Sequence, residues 1–291
     1  NRPMNTSNFN YWKEKLSGKI PVLNLPADFN RPQHPTFKGG ASSTKTYDKE
    51  LSGKILDLAT AYNTTPFNVM LAVYYVLLHR YTGQKDILIG TPVTNRDQKI
   101  LEEFIGFFND TVVLRTALDT QMSFKDVLSN VRENTLEAFE HKDINFDYLV
   151  KELNVERSLS VNPLFQVMFL YHAKPDNPYF GKDLKMSHTW FDLKVSKFDL
   201  TIYVAEENGQ FSTTFEYSSD LFKKETVERY LDNYKLLIED AITNPEQPIS
   251  KLSILSDVKE STASNYKTNN FSEFKGIHHI IEDIAFKTPS N

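Results

Sequence analysis

The chain has 291 residues, 40% of them hydrophobic and 24% charged, with a net charge of −5. That is enough for one large domain or two lobes, and without a Lys/Arg stripe it lacks the electrostatic footprint of a nucleic-acid binder. There is no cysteine, which excludes a disulfide framework and thiol chemistry and fits a reducing compartment.

No stretch approaches the roughly 20 apolar residues of a membrane helix, and NRPMNTSNFN lacks the apolar core of a signal peptide. A cytoplasmic protein touching neither nucleic acid nor membrane is expected. The seven histidines are His34, His79, His141, His172, His188, His278 and His279. They make no H-E-x-x-H pair, and without cysteine the usual zinc patterns are closed, so no metal site is expected. Neither phosphate-cradling glycine motifs nor a G-x-S-x-G occurs.

Residues 1–10 are polar and read as a connector. YWKEKLSG opens a short amphipathic helix with Tyr11, Trp12 and Leu16 on one face. PVLNLPADFNRPQHP carries four prolines in fifteen residues and reads as an extended loop. A strand is expected around Ser42–Tyr47 and a helix near Glu50–Tyr62. TTPFNVMLAVYYVLLHRYTG is the clearest helix: Thr65 caps it, Pro66 suits its first turn and Gly83 ends it. Apolar residues nearly encircle it, so it should be buried.

DILIGTPV, bounded by Pro92, and TVVLRTAL from Thr111 read as buried strands. Ser123–Asp126 has a capping-box pattern, followed by Val127, Leu128, Val131, Leu136 and Phe139 at helical spacing. A short helix is expected over Phe146–Leu153. Strands then follow at Phe165–His172, near Met186–Leu193, and over FDLTIYVAEE and GQFSTTFEYS, the last two joined by a hairpin turn at Glu206–Gly209. A helix from Lys224 to about Thr243 carries Val227, Tyr230, Leu231, Tyr234, Leu237 and Ile238 on one face. SDVKESTASNYKTNNFSEFKG is polar and reads as a linker. Alternating helices and strands give an α/β class with a mixed sheet.

His278 and His279, followed by Asp283, nearly spell an HHxxxDG acyl-transfer motif, but Ile284 stands where the glycine belongs. On a helix, Ile277, Ile280, Ile281 and Ile284 form an apolar stripe, so position 284 asks for a core residue rather than glycine's freedom. The stretch is expected to be a helix that begins a further domain.

Several segments together resemble the condensation domains of non-ribosomal peptide synthetases. YWKEKLSG…LNLPADFNRP resembles the opening of their C-terminal lobe. ILIGTPVTNRD…EEFIGFFNDTVVLR resembles their fifth signature, HKDINFDYLVKELN the sixth and ERSLSVNPLFQVMF the seventh. SKFDLTIYV and FEYSSDLFKKETVER have counterparts near the end of that lobe, and GIHHIIEDIAFKTPSN resembles the opening of an adenylation domain.

The resemblance implies a chloramphenicol-acetyltransferase-like lobe with a mixed β-sheet flanked by helices. It implies a connector from a missing N-terminal lobe at 1–10, the C-terminal lobe of a condensation domain at 11–255, a linker at 256–275 and the start of an adenylation domain at 276–291. The implied activity is peptide-bond formation between carrier-bound aminoacyl or peptidyl thioesters. The histidine motif of the family lies in the N-terminal lobe, so no catalytic residue is assigned here and the chain alone is expected to be inactive. The implied partners are that lobe, donor and acceptor carrier proteins and a downstream adenylation domain. The protein would bind no cofactor of its own; 4′-phosphopantetheine would arrive on the carriers.

Tunnel or pantetheine contacts fall on Thr91, Thr94, Arg96, Asn109, Asp110 and Gln166. For Thr91, Thr94 and Arg96 a strand-end turn is an equal alternative, and for Gln166, at the start of its strand, a structural role is the leading reading. Asn109 and Asp110 stand where the family has Val-Asn; they either place a carboxylate in the tunnel or form a loop-end polar pair. His141, at a helix end, and Arg157, Ser160 and Asn162 are structural members of the signatures. A non-catalytic carrier-docking module and half of an epimerisation domain remain as alternatives; NPLFQVMF and the adenylation-like start argue against the latter.

Overall fold

Side chains cap most of the helix N-termini among the described residues. In chain order the elements are α1 (Thr6–Lys15), β1 (Gly39–Ala41), β2 (Lys45–Thr46), α2 (Lys49–Ala61), α3 (Pro66–Thr82), β3 (Asp86–Thr94), β4 (Asn109–Ala117), α4 (Phe124–Glu140), α5 (Phe146–Glu152), β5 (Val167–Ala173), β6 (Leu200–Glu207), β7 (Gln210–Ser218) and α6 (Lys224–Thr243). The computed structural model describes residues 6–94, 106, 109–153, 158, 160–173 and 193–254, all within the compact unit Asn1–Ile254. The linker 256–275, the terminal segment with His278 and His279, and all but the last residue of the strand expected near Met186–Leu193 lie outside the described residues.

Thr65 accepts the Asn68 N–H at the head of α3, Pro66 sits in its first turn, and Gly83 closes it at φ 68°. Only glycine adopts that conformation without cost. Ser123 and Asp126 form the reciprocal capping box of α4. Asp48 and Asn145 cap α2 and α5. At α6 the capping residue, Lys223, has no side-chain cap of its own. Asp28 supplies one from the far end of the chain, accepting from Lys223 N at 2.8 Å and Thr226 Oγ1 at 2.9 Å.

The described strands form one seven-stranded mixed sheet ordered β1-β7-β6-β5-β3-β4, with β2 also pairing β7. β5 lies parallel to β3 and β6; the β3–β4 and β6–β7 pairs are antiparallel. In β7, Phe211, Thr213 and Phe215 are buried while Ser212, Thr214 and Glu216 are half-buried, the period of two that a strand with one covered face requires. Asn208 and Gly209 (φ 50° and 71°) turn β6 into β7, the positive pair of a type I′ hairpin.

α3 is buried over Asn68–His79, nearly all round. It packs against α2, α4 and α6, with Tyr74 near Phe169, Phe215 and Tyr234 at ring-centroid distances of 6.1–6.4 Å. Burying each such ring stabilises the fold by about 1.5–3 kcal/mol. The hydroxyls are handled individually: Tyr234 Oη donates to Met70 O at 2.8 Å and Tyr75 Oη to Leu114 O at 2.7 Å.

Five expectations change. The connector at 1–10 is helical from Thr6, because tertiary bonds from Asn8 extend α1 upstream of Tyr11. The strand at Ser42–Tyr47 is two short pieces, β1 and β2, on the same partner. Pro92 does not end β3; it pairs with Thr111 inside the ladder to β4, and the missing N–H is tolerated beyond the single register pair, Gly90↔Met168, that links β3 to β5. Asn109 and Asp110 are no loop-end pair but the first residues of β4, opposite Thr94 and Val93. The α4 stripe is incomplete: Leu136 is 50% and Phe139 36% exposed, while Thr135 and Ala138 are buried. A strict spacing count places these two apolar residues one step round the helix from its buried side.

Candidate functional site

The parallel strands define two ends of the sheet, and the signature residues divide between them. At the carboxyl ends, Thr94 is exposed and its carbonyl accepts Lys142 Nζ at 3.1 Å. Asn109, opposite it, is exposed. Asp110 is half-buried, and its carboxylate accepts the Thr111 N–H at 2.8 Å and the Phe146 N–H that heads α5. Burial raises its pKa above the ordinary carboxylate value; the two amides oppose that, and Asp147 adds to it. Phe67, Phe139 and Tyr171 form an aromatic shelf beside this rim, with Phe67 5.9 Å from Phe139 and 5.8 Å from Tyr171. The Tyr171 hydroxyl donates to Glu206. In open α/β sheets, ligands bind outside the carboxyl ends of the strands, so this rim is the candidate substrate-facing edge.

Thr91 does not face that edge. It is 1% exposed, and its Oγ1 donates to Phe169 O at 2.8 Å. Where β3 and β5 share one register pair, a β5 carbonyl is left for a side chain, and a buried hydroxyl must find such an acceptor. Gln166 is likewise withdrawn. It is 3% exposed, accepts the Leu23 N–H at 2.7 Å and donates to Asn162 O at 3.1 Å. Both ends of its carboxamide are committed to backbone at the amino end of β5, away from the rim. Arg96 and Arg157 lie outside the described residues.

His141 closes α4. Its Nδ1 is 2.9 Å from Asn8 Oδ1, its carbonyl accepts Trp12 Nε1 at 2.8 Å, and its ring stacks on Tyr11 with centroids 4.2 Å apart. These contacts fasten α1 to α4.

The amino end of the sheet carries a second constellation. The segment Gly18–Phe37 crosses it as a strap. Gln84 accepts the Asn24 N–H at 2.7 Å and donates to Val22 O at 3.0 Å, while Gln166 takes the Leu23 N–H between them. Further along, Arg31 forks onto both carboxylate oxygens of Asp199 and donates to Ser160 O at 3.2 Å. Asn162 Nδ2 donates to Lys197 O at 2.7 Å, and Ser160 Oγ lies 3.0 Å from Ser158 Oγ. Arg31, Ser158, Ser160, Asn162, Lys197 and Asp199 line a recess of about 120 Å³. Sequence reasoning passed over Arg31, Asp199, Gln84 and Lys142. Arg31 and Asp199 sit inside the quoted segments FNRP and KFDL, yet they are 168 residues apart and no local pattern pairs them.

The fold is an α/β lobe built on one mixed sheet, and its likeness to known proteins places it more narrowly. The family profile described as "Condensation domain" matches residues 4–262; the chain belongs to the condensation-domain family. It is 37% identical over 287 residues to surfactin synthase subunit 1 of Bacillus subtilis (strain 168), and 34% over 289 to tyrocidine synthase 3 of Brevibacillus parabrevis. Those alignments cover 97% and 98% of this chain but only 8% and 4% of the relatives' lengths.

Among solved structures, the X-domain from teicoplanin biosynthesis superposes with a TM-score of 0.78 at 24% identity, covering 87% of this chain and 58% of that one. A four-domain nonribosomal peptide synthetase also gives 0.78, at 23% identity, covering 95% and 22%. The fold is therefore that of condensation domains, a chloramphenicol-acetyltransferase-like lobe with a mixed sheet flanked by helices. Among the described residues no helix is long and apolar enough to cross a membrane.

Proposed function

We propose that this chain is the C-terminal lobe of a condensation domain that joins carrier-borne aminoacyl or peptidyl thioesters in non-ribosomal peptide synthesis. The observation that carries the reading is the family match over residues 4–262. In the reaction an acceptor amine attacks the donor thioester carbonyl. A C–N bond forms, the C–S bond breaks, and the thiol leaves on its pantetheine arm. Such a step needs aligned reactants, a group to handle the amine proton and donors for the oxyanion.

In this reading the lobe supplies one wall and the carboxyl-end rim, and an N-terminal lobe bearing HHxxxDG supplies the histidine. The carriers and an adenylation domain are the partners, and pantetheine arrives with the carriers. The test mixes the purified chain with donor- and acceptor-loaded carriers, with and without an N-terminal lobe, and follows dipeptide by mass spectrometry. Product is expected only with both lobes; product from the chain alone overturns the division of labour.

A second reading, a non-catalytic docking module, has one observation in its favour. A structural neighbour, the teicoplanin X-domain, 25% identical with a TM-score of 0.77, is seen in complex with OxyB. Saturable carrier binding by calorimetry, with no dipeptide formed when both lobes are present, favours this reading.

A further inference from the structure

We infer that Arg31 is a positioning residue: its fork onto Asp199 fixes the Ser160–Pro163 turn and thereby the wall of the amino-end recess. The inference rests on the proposed function for its kinetic arm only. Three separate pieces of chain meet at the guanidinium. Nη1 and Nη2 each reach one carboxylate oxygen of Asp199, at the entry to β6, and Nη1 also donates to the Ser160 carbonyl at 3.2 Å. The pair is partly shielded, with side-chain exposures of 30% for Arg31 and 10% for Asp199, so solvent screens it less than a surface pair.

The turn's other holds among the described residues are short-range or single bonds: the Ser160 N–H donates to Ser158 Oγ at 3.2 Å and the Phe165 N–H to Pro163 O at 2.9 Å. Asn162 holds the Lys197 carbonyl at 2.7 Å, and Gln166 Nε2 holds the Asn162 carbonyl at 3.1 Å. Leu164, just beyond the turn, sits at φ 68°, a conformation costly for a branched side chain and kept only where surroundings enforce it. A planar two-pronged cation matches the planar carboxylate and also reaches a carbonyl beyond it; a lysine ammonium, a single point charge, does not reproduce that geometry. The recess wall includes Arg31, Ser160, Asn162, Lys197 and Asp199. It lies at the amino ends of the strands, so its shape bears on association with a partner and not on the reacting atoms.

The test compares wild type with Arg31→Lys and Arg31→Ala. Hydrogen exchange on the full 291-residue chain is expected to accelerate on the order of tenfold or more at the Ser160 and Phe165 amides. The amides of α3 should keep wild-type protection. Arg31→Lys should fail to rescue, and if Arg31→Ala does not fold, Arg31→Lys carries the same measurement. In a complete condensation domain with the same substitution, KM for the carrier-borne substrates should rise about tenfold with kcat held within about twofold.

Unchanged exchange at Ser160 and Phe165 overturns the inference. So does uniform acceleration that includes α3, which makes Arg31 a global stabiliser. Local acceleration with unaltered KM overturns the functional role while leaving the family reading intact. An inactive wild-type domain sinks the proposed activity, and the exchange result still decides the role of Arg31.

Discussion

The helix α3 and the strap Gly18–Phe37 are held by opposite means. α3 is placed by area: its side chains from Val69 to Leu78 are at most 1% exposed, and no single hydrogen bond decides where it sits. The strap is placed by individual bonds, from Gln84, Gln166, Arg31, and Asp28 with its grip on α6; Tyr230 Oη also donates to Pro26 O at 2.9 Å. Area is a sum over many contacts and degrades gradually, whereas a bond to a buried amide is either made or missing. Substitutions in the two regions should therefore differ in size and in sign.

The largest effect is expected at Gly90. A Cβ there would stand 2.3 Å from the ring of Phe165, closer than any real contact, so Gly90→Ala should cost about 3 kcal/mol or fail to fold; a chemical-denaturation midpoint near wild type would contradict the close packing of Phe165 on Gly90. In the strap, Gln166→Ala removes the acceptor for the buried Leu23 N–H and should cost about 2 kcal/mol. Limited proteolysis should cut the Gly18–Phe37 segment of this variant faster than the same segment of wild type, and equal rates would break the contrast.

Asp28→Ala should cost about 1 kcal/mol through loss of the α6 cap. The Asp28 pKa lies below its ordinary value, first because the Lys223 amide donates to the carboxylate and further because Thr226 does. A lowered folded-state value gives stability that is present above the unfolded pKa and disappears as pH falls through the folded one. The melting-temperature gap between wild type and Asp28→Ala should thus be constant near neutrality and close below about pH 4; a gap that persists in acid removes the carboxylate from the explanation. The smallest effect has the opposite sign. Tyr74 Oη is buried without a partner among the described residues, so Tyr74→Phe should leave stability unchanged or raise it by up to about 1 kcal/mol. A clear loss would mean that the hydroxyl has a partner.

The area-driven part is legible in the sequence because its signals are local. Thr65, Pro66 and Gly83 bracket α3, Ser123 and Asp126 announce α4, Asn208–Gly209 marks a hairpin, and β7 alternates with period two. The bond-driven part has no such grammar. Gln166 meets Leu23 across 143 residues, and Asn8 meets His141 across 133, so from sequence Gln166 reads as either a structural residue or a tunnel contact, with no partner named, and Asn8 as a connector. Thr91 misleads for a related reason: a threonine near a strand's end reads as exposed until the neighbouring strand offers its carbonyl. The family resemblance recovers which segments matter, but not which of their side chains face a ligand and which only hold the frame.

The mechanical character of the sheet follows from the single register pair that joins β3 and β5 among the described residues. Seven pairs bind β5 to β6 and nine bind β3 to β4, so the sheet is two well-stitched panels meeting along one short seam at Gly90 and Met168. Load applied across the strands would open that seam before any other, and twist between the panels costs least there. The buried helix laid behind both panels then serves as the backing that keeps them in one plane.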